Sequence, residues 1–350
     1  MRELEVGKVI EKYRKMRGLS TDELAAKLDI WNRYPPLWEA GLMFPDASWL
    51  GQIVEILEIP SPEAEIVLQE KSVLNIREEE LIIPGLEKEY HFLHLSDAHV
   101  IVVDEDERKA LIDYEMPRIG DFTEDGITPF ERMEAFRTYI KEHKEELDGV
   151  LMTGDIIDCP FENSIRYLRE LLNDSPVPWM YVLGNHDWLH FDEKTEDVKE
   201  ARHEQFEEFC GGNSYIHKKK FGELTLIAVD NTIHNRYEPW IVDELKKMLE
   251  GEENVLILQH EVFYADTLTK DCRLWWHGGD GTMTGPGDGQ SAYNLPALDV
   301  ITAEDSPVKA LLTGHLHFHH KDILKDKVPQ YIAADASNGG AILYKIHGGN

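Results

Sequence analysis

The sequence predicts an α/β domain preceded by a small all-α N-terminal domain. Three observations carry this expectation. Apolar residues recur at helical spacing up to about residue 70, short apolar runs take over after about residue 80, and an Asp, Asn or His stands just beyond most of those runs. At 350 residues and 42% apolar composition, the chain is long enough for two domains with proper cores.

The helical region shows Val6, Val9, Ile10 and Tyr13, then Leu24, Ala25 and Leu28, then Leu50, Ile53, Val54 and Leu57 at intervals of three and four. Gly18 stops the first helix, and Ser20 or Thr21 with Asp22 and Glu23 caps the next. Pro60, Ser61 and Pro62 punctuate the end, so residues 1–72 are expected to form the helical domain and 82–348 the α/β domain.

In the second region, buried strands are expected at His91–Leu95, Val150–Met152, Met180–Leu183, Leu224–Val229, Val255–Leu258 and Ala310–Leu312. Helices are expected at Pro129–His143, Asn163–Leu172, Lys199–Phe209 and Ile241–Leu249. Directly after the strands stand Ser96-Asp97-Ala98-His99, Gly154-Asp155-Ile156-Ile157-Asp158, Gly184-Asn185-His186-Asp187, His260, and Gly314-His315-Leu316-His317. Open α/β sheets bind ligands beyond the carboxyl ends of their strands, so five loops can converge on one site.

The residue types suit a metal centre. Oxygen and imidazole donors without thiolates favour divalent Mn, Fe, Zn or Ni. An aspartate at a central strand end can bridge two ions, and a pair about 3.5–4 Å apart clamps the attacking and leaving oxygens of an in-line displacement. The bridging hydroxide is then the nucleophile, without a covalent intermediate. Each motif alone is commonplace; in this order, each at a strand end, they point together to metal.

Composition narrows the substrate and setting. The formal charge of -31 repels polyanions, which disfavours broad binding to nucleic acid or anionic membranes and favours a small anion drawn to a local site. The runs Glu78-Glu79-Glu80 and Asp104-Glu105-Asp106-Glu107 read as solvated faces or loops. No apolar stretch reaches the roughly 18 residues of a membrane span, and Arg2, Glu3, Glu5 and Lys8 stand where a signal peptide needs an apolar run. A cytoplasmic protein is expected, its three widely spaced cysteines reduced and structural.

These motifs resemble the signature of the calcineurin-like metallophosphoesterase superfamily over roughly residues 85 to 346. The resemblance implies a four-layer αββα sandwich and a dinuclear centre. One metal would take Asp97, His99, Asp155 and His317, and the other Asp155, Asn185, His260 and His315. His186 would face the leaving oxygen, helped by Asp97 or Asp187, and stabilise or protonate it as the bond breaks.

Phosphoprotein phosphatases carry Arg-Gly after the second aspartate motif and a glutamate after Asn-His, where this chain has Asp158-Cys159-Pro160 and Asp187. The sequence is more similar to the bacterial cyclic-nucleotide phosphodiesterase-like branch, although DNA-repair nucleases share the Gly-Asp-x-x-Asp and Gly-Asn-His-Asp patterns. Asp158 either supports the site or caps the following helix.

Two loops are expected to govern access: an acidic one from Val100 to Thr128, and a glycine-rich one from His277 to Gln290, which is either a lid or a surface excursion. Trp275 and Trp276 either stack on a base or belong to the core. His94 reads as an ordinary buried histidine, and His319 and His320 lie outside the ligand set.

Residues Val6 to Glu58 resemble a lambda-repressor/Cro-type helix-turn-helix, through Gly18-Leu19-Ser20, Glu23-Leu24-Ala25 and Trp38-Glu39-x-Gly41. In such domains the second helix enters the major groove; here it would span about Asn32 to Glu39, where Pro35-Pro36 argues against an intact helix. Eight basic against thirteen acidic side chains in residues 1–70 is the wrong sign for phosphate contacts. The expected role is contact with a protein, self-association, or packing on the catalytic domain. The expected function is thus metal-dependent hydrolysis of a small, nucleotide-like phosphate ester. The alternatives are a DNA-directed nuclease, a regulatory phosphoprotein phosphatase targeted by the N-terminal domain, or a binding protein that has kept only the fold.

Overall fold

A computed structural model describes residues 2–68, 72–103, 109–188, 202–232, 236–276 and 294–349. The glycine-rich stretch 277–290, the Asp104–Glu107 run, His234 and part of the expected helix Lys199–Phe209 lie outside the described residues.

The chain begins with five helices: α1 (Arg2–Met16), α2 (Thr21–Leu28), α3 (Tyr34–Ala40), α4 (Ala47–Leu57) and α5 (Glu63–Leu68). Ser20 rather than Thr21 caps α2: its hydroxyl accepts from Glu23 N at 3.1 Å while the Glu23 carboxylate accepts from Ser20 N at 2.7 Å. Val6, Ile10, Leu24, Trp38, Ile53 and Leu57 close the helical core. The prolines do not break α3. They fall in its first turn, where backbone N–H groups have no intrahelical acceptor to lose, so the helix starts at Tyr34 and remains intact.

The remainder runs β1 (Asn75–Ile82), β2 (Tyr90–Leu95), α6 (Lys109–Asp121), α7 (Pro129–Glu142), β3 (Gly149–Met152), α8 (Glu162–Asn173), β4 (Trp179–Tyr181), α9 (Asn185–Trp188), β5 (Ile216–Phe221) and β6 (Leu224–Val229). It continues with α10 (Pro239–Leu249), β7 (Val255–Leu258), α11 (Asp266–Trp275), α12 (Leu295–Ile301), β8 (Val308–Thr313), β9 (His320–Leu324), β10 (Val328–Ile332) and β11 (Gly340–His347). Two sheets form, ordered β1-β11-β2-β3-β4 and β5-β6-β7-β8-β10-β9. Strands β2, β3 and β4 are mutually parallel, as are β6, β7, β8 and β10.

The layers follow from which residues share a core. Phe92, Leu151, Met180, Leu226, Leu256 and Leu312 fill the space between the sheets. Leu93, Val150 and Met152 turn outward against Phe136 of α7 and Leu168 of α8. Ile227, Ile257 and Leu311 turn outward against Ile241 of α10 and Leu298 of α12. The order is helix, sheet, sheet, helix. Strands buried on both faces explain why the sequence shows unbroken apolar runs rather than alternation.

The Glu78-Glu79-Glu80 run forms a solvated face of β1, which pairs parallel with β11; Glu78 and Glu80 face solvent, while Glu79 meets Arg77 at 2.9 Å and Lys321 at 3.5 Å. One segment departs from expectation. The Val100–Thr128 segment contains a thirteen-residue helix, α6.

The fold divides into two units, and α11 belongs with α1–α5 rather than with the sheets. Within that unit α11 packs on α3, and the Arg33 guanidinium donates to Trp275 O at 3.0 Å. Trp275 is thus part of a helix of the helical unit. No helix among the described residues is long and apolar enough to cross a membrane.

Candidate metal centre

The loops after β2 and β3 zip together beyond the sheet. Asp97 N donates to Gly154 O at 3.0 Å, His99 N to Asp155 O at 2.9 Å, and Asp158 N to Val100 O at 3.0 Å. Asp97, His99, Asp155, His315 and His317 all have φ between 47° and 71°, the left-handed region that L-residues with side chains avoid. Such strain concentrates where surrounding structure must aim side chains at one point. Two glycines allow the approach: a Cβ on Gly184 would overlap Asp155, and one on Gly314 would overlap Ser96 Oγ and the Asp97 carboxylate.

The side chains of the expected ligands converge in two groups, beside a third formed by His99, Asp158 and His186. In one, Asp97, His99 and His317 each offer a donor atom within 4.8 Å of the others; Asp155, His260 and His315 form the second. Asp97 Oδ1 lies 3.3 Å from His317 Nε2, and His99 Nε2 lies 3.2 Å from His317 Nε2. In the second group Asp155 Oδ2 lies 3.1 Å from His260 Nε2, and His260 Nε2 lies 3.2 Å from His315 Nδ1. Asp155 Oδ2 is also 3.9 Å from His99 Nε2, so this carboxylate stands between the groups.

Neighbours fix the rings. His260 Nδ1 meets Thr153 O at 2.7 Å, which leaves Nε2 for the centre. His99 does likewise, with Nδ1 at 3.3 Å from Asp158 Oδ1. Asp187 is buried and accepts N–H groups from Asp155, Gly184 and Ile157 at 2.7, 2.7 and 3.0 Å, pinning the second and third motifs together.

Burial opposes charge on Asp97 and Asp155, but His317 beside the first and His260 beside the second outweigh it and hold both carboxyls below their usual range. Burial likewise disfavours charge on His260, yet the Asp155 and Asp97 carboxylates raise it to about 10. His315, desolvated and facing His260, falls to about 3.

The donors fit a pair of divalent cations. They are carboxylate oxygens and imidazole nitrogens, with no thiolate, and ring nitrogens 3.2 Å apart are what a shared cation brings into register. Asn185, the seventh position singled out in the sequence, has a buried Oδ1 without a hydrogen-bond partner among the described residues. That is an acceptor awaiting a cation or a donor.

Residues 90–319 match the calcineurin-like phosphoesterase family. The chain belongs to this family. It is 24% identical over 191 residues to a Fibrobacter succinogenes protein named "Probable cyclic nucleotide phosphodiesterase", a match covering 54% of this chain and 65% of that one. It is 25% identical over 197 residues to a 3′,5′-cyclic-nucleotide phosphodiesterase of Nostoc sp., covering 55% and 64%. The chain thus spans slightly under two thirds of either curated relative. Among solved structures, a dimetal phosphatase of Danio rerio covers 72% of this chain and 91% of its own, at TM-score 0.47 and 11% identity.

In this calcineurin-like phosphoesterase chain, the partner of His186 differs from the two anticipated. Neither Asp97 nor Asp187 meets the ring; His186 Nδ1 lies 2.7 Å from Asp158 Oδ1. Asp97 is directed at His317 and the His315 N–H, and Asp187 is occupied by backbone donors. Asp158, weighed as support or helix cap, touches His99, His186 and Arg118, and α8 begins beyond it with Phe161 at its N-cap.

Two residues at the centre were not singled out in the sequence. Arg118 Nε and Nη2 reach Asp158 at 2.7 and 2.8 Å, and the Phe122 ring stacks on His99 with centroids 4.0 Å apart and 5° between planes. Both come from the Val100–Thr128 segment, where a basic and an aromatic residue four apart at the end of a helical stretch were the available signal. Three further histidines lie elsewhere: His94 is bonded to Thr153 Oγ1 at 2.7 Å, His319 accepts from Ala334 N at 3.2 Å, and His320 pairs with Asp322. All three cysteines are buried, and none is in a disulfide.

Proposed function

We propose that this chain is a metal-dependent hydrolase of small, nucleotide-like phosphate esters, with phosphodiester substrates foremost. The observation that carries the reading is the position of Asp155 between two donor groups, Asp97–His99–His317 and His260–His315. Asp97, His99, Asp155 and His317 would hold one ion, and Asp155, Asn185, His260 and His315 the other. When bound, such ions supply Lewis acidity toward phosphoryl oxygens and an ionised water at neutral pH. The donor set suits Mn, Fe, Zn or Ni.

His186 then serves the leaving group. Its ring is anchored at Nδ1 by Asp158, which turns Nε2 outward, and burial of the ring is outweighed by the Asp155 and Asp158 charges, so its pKa is raised. An imidazolium held in this way stabilises or protonates a departing oxygen. Its anchor is a buried carboxylate whose remaining oxygen is taken by Arg118, so the ring cannot turn without breaking an ion pair. Cyclic-nucleotide chemistry is favoured by the names of the two relatives.

For the N-terminal unit, we read α2 and α3 as a helix-turn-helix-like pair whose use is protein contact or self-association. The packing of α11 on α3 supports this over groove reading, because a recognition helix needs its outer face for base edges. Cysteines not joined in disulfides suit a reducing compartment such as the cytoplasm.

The test is a panel of 3′,5′-cyclic nucleotides, phosphomonoesters and single-stranded DNA, each run with Mn, Ni, Fe and Zn. Fastest turnover of cyclic nucleotides supports the proposal. Preferential cleavage of DNA, together with duplex binding that weakens steeply with salt, would establish the nuclease alternative instead.

A further inference from the structure

We propose that Arg118 of α6 is a positioning residue that acts on His186 through Asp158, so that helix α6 completes the leaving-group apparatus. The inference rests on the role proposed for His186.

Asp158 has no solvent exposure and carries three partners: Arg118 in a two-point contact, His186 Nδ1 at 2.7 Å, and His99 Nδ1 at 3.3 Å. A carboxylate shared in this way has little freedom of its own. The planar fork of the guanidinium fixes the plane of the carboxylate, and that plane sets where Oδ1 meets the imidazole. Arg118 Nη2 also lies 3.4 Å from His186 Nδ1, so the three groups form one compact triangle. With Arg118 on both of its oxygens, the Asp158 carboxylate holds His186 by position, through one fixed contact at Nδ1.

Helix α6 is anchored at the same end by a second contact. Phe122, immediately beyond the helix, stacks flat on His99, and the Arg118 guanidinium lies 4.9 Å from the Phe122 ring centre. Phe122 N also donates to Arg118 O at 3.3 Å. Arg118 and Phe122 are four residues apart, so they project from one side of the chain, one to the anchor of His186 and the other to the face of His99. The helix lies between the Asp97–His99 and Asp155 motifs in sequence and returns to both.

The experiment is a double-mutant cycle on the metal-loaded full chain, with Arg118→Ala, His186→Ala and the pair, assayed on p-nitrophenyl and phenyl phosphodiesters. Arg118→Ala is expected to lower kcat about 10- to 100-fold with KM little changed. The loss should be larger for the phenyl ester, whose leaving group needs more help, and Arg118→Lys should recover part of it. In the double variant the two losses should not add, because they remove one function. Metal content should stay at two ions per chain in Arg118→Ala.

Additive losses, equal losses on both esters, or loss of metal would overturn the inference while leaving His186 in place. An active His186→Ala would overturn the reading of His186, and this inference with it. Should Arg118→Ala fold poorly, as judged by circular dichroism, Arg118→Lys carries the same ester comparison.

Discussion

Asp158 Oδ1 and His186 Nδ1 are 2.7 Å apart, joining a fully buried carboxylate to an imidazole that keeps 27% of its surface exposed. This gives the ring a fixed inner nitrogen and an outer one able to meet substrate. Replacing His186 by Ala is expected to reduce kcat by about 10²- to 10⁴-fold, the usual contribution of general acid catalysis. Elemental analysis should still find two metals per chain. Loss of metal with the imidazole would show that the residue had been misassigned.

The next expectation concerns Gly314. A Cβ there would run into Ser96 and Asp97, so Gly314→Ala must push apart the loops after β2 and β8. Overpacking of this kind costs about 1–3 kcal/mol. We expect a lower melting temperature together with weaker metal binding, because Asp97 and His315 are displaced at once. Unchanged metal affinity by calorimetry would count against the assignment of either residue as a ligand.

Chelation provides a third test. An ion that binds only the folded chain stabilises it by about 2.7 kcal/mol when present at 100 times its Kd. Removing metal should therefore abolish hydrolysis and lower the unfolding midpoint, and adding Mn back should restore both. An unfolding midpoint indifferent to metal would argue that the cluster does not bind ions with useful affinity.

A fourth expectation lies away from the centre. Glu252 accepts the Thr225 hydroxyl at 2.6 Å and pairs with Lys218 and Lys220 at 3.2 and 3.1 Å; these partners, against a small burial cost, lower its pKa to about 2. A carboxyl whose folded pKa is depressed contributes stability above its ordinary value, 4.5, and loses that contribution as pH falls toward 2. The lysines are at the surface, so screening limits the benefit to about 1 kcal/mol. Urea unfolding of Glu252→Gln should show that deficit at pH 7, and the gap to the parent should shrink at pH 3.

The sequence was most legible where chemistry sits next to a strand. Asp97, Asp155, Asn185, His260 and His315 each fall within three residues of the end of an apolar run. A strand end fixes the direction of the next few residues, so the local pattern carries the spatial one. The Asp158–His186 contact was not legible, because it joins residues 28 apart whose meeting depends on the left-handed turn at Asp155 and on Asp187 pinning the two loops. Arg118 was obscured by its surroundings: acidic neighbours and Pro117 inside α6 made the segment look like a loop. Strands β1, β5, β9, β10 and β11 are partly polar and were missed for that reason. Exposed positions interrupt β9 and β11, β10 carries Pro329 and a buried Gln330, and the two sheets that receive them are built by tertiary pairing.

Helix α11 has a topological consequence. The polypeptide leaves the helical unit after Ser72 and re-enters it at Asp266, so that unit is assembled from two stretches of sequence nearly two hundred residues apart. A single proteolytic nick at the Ser72 junction should not release a free N-terminal piece. The amino-terminal fragment should stay bound through the packing of α3 on α11 and co-elute with the remainder until a denaturant separates them. Gene truncations that discard residues 1–72 should likewise yield a product that keeps α11 without its partners and aggregates through the apolar side chains α3 now covers.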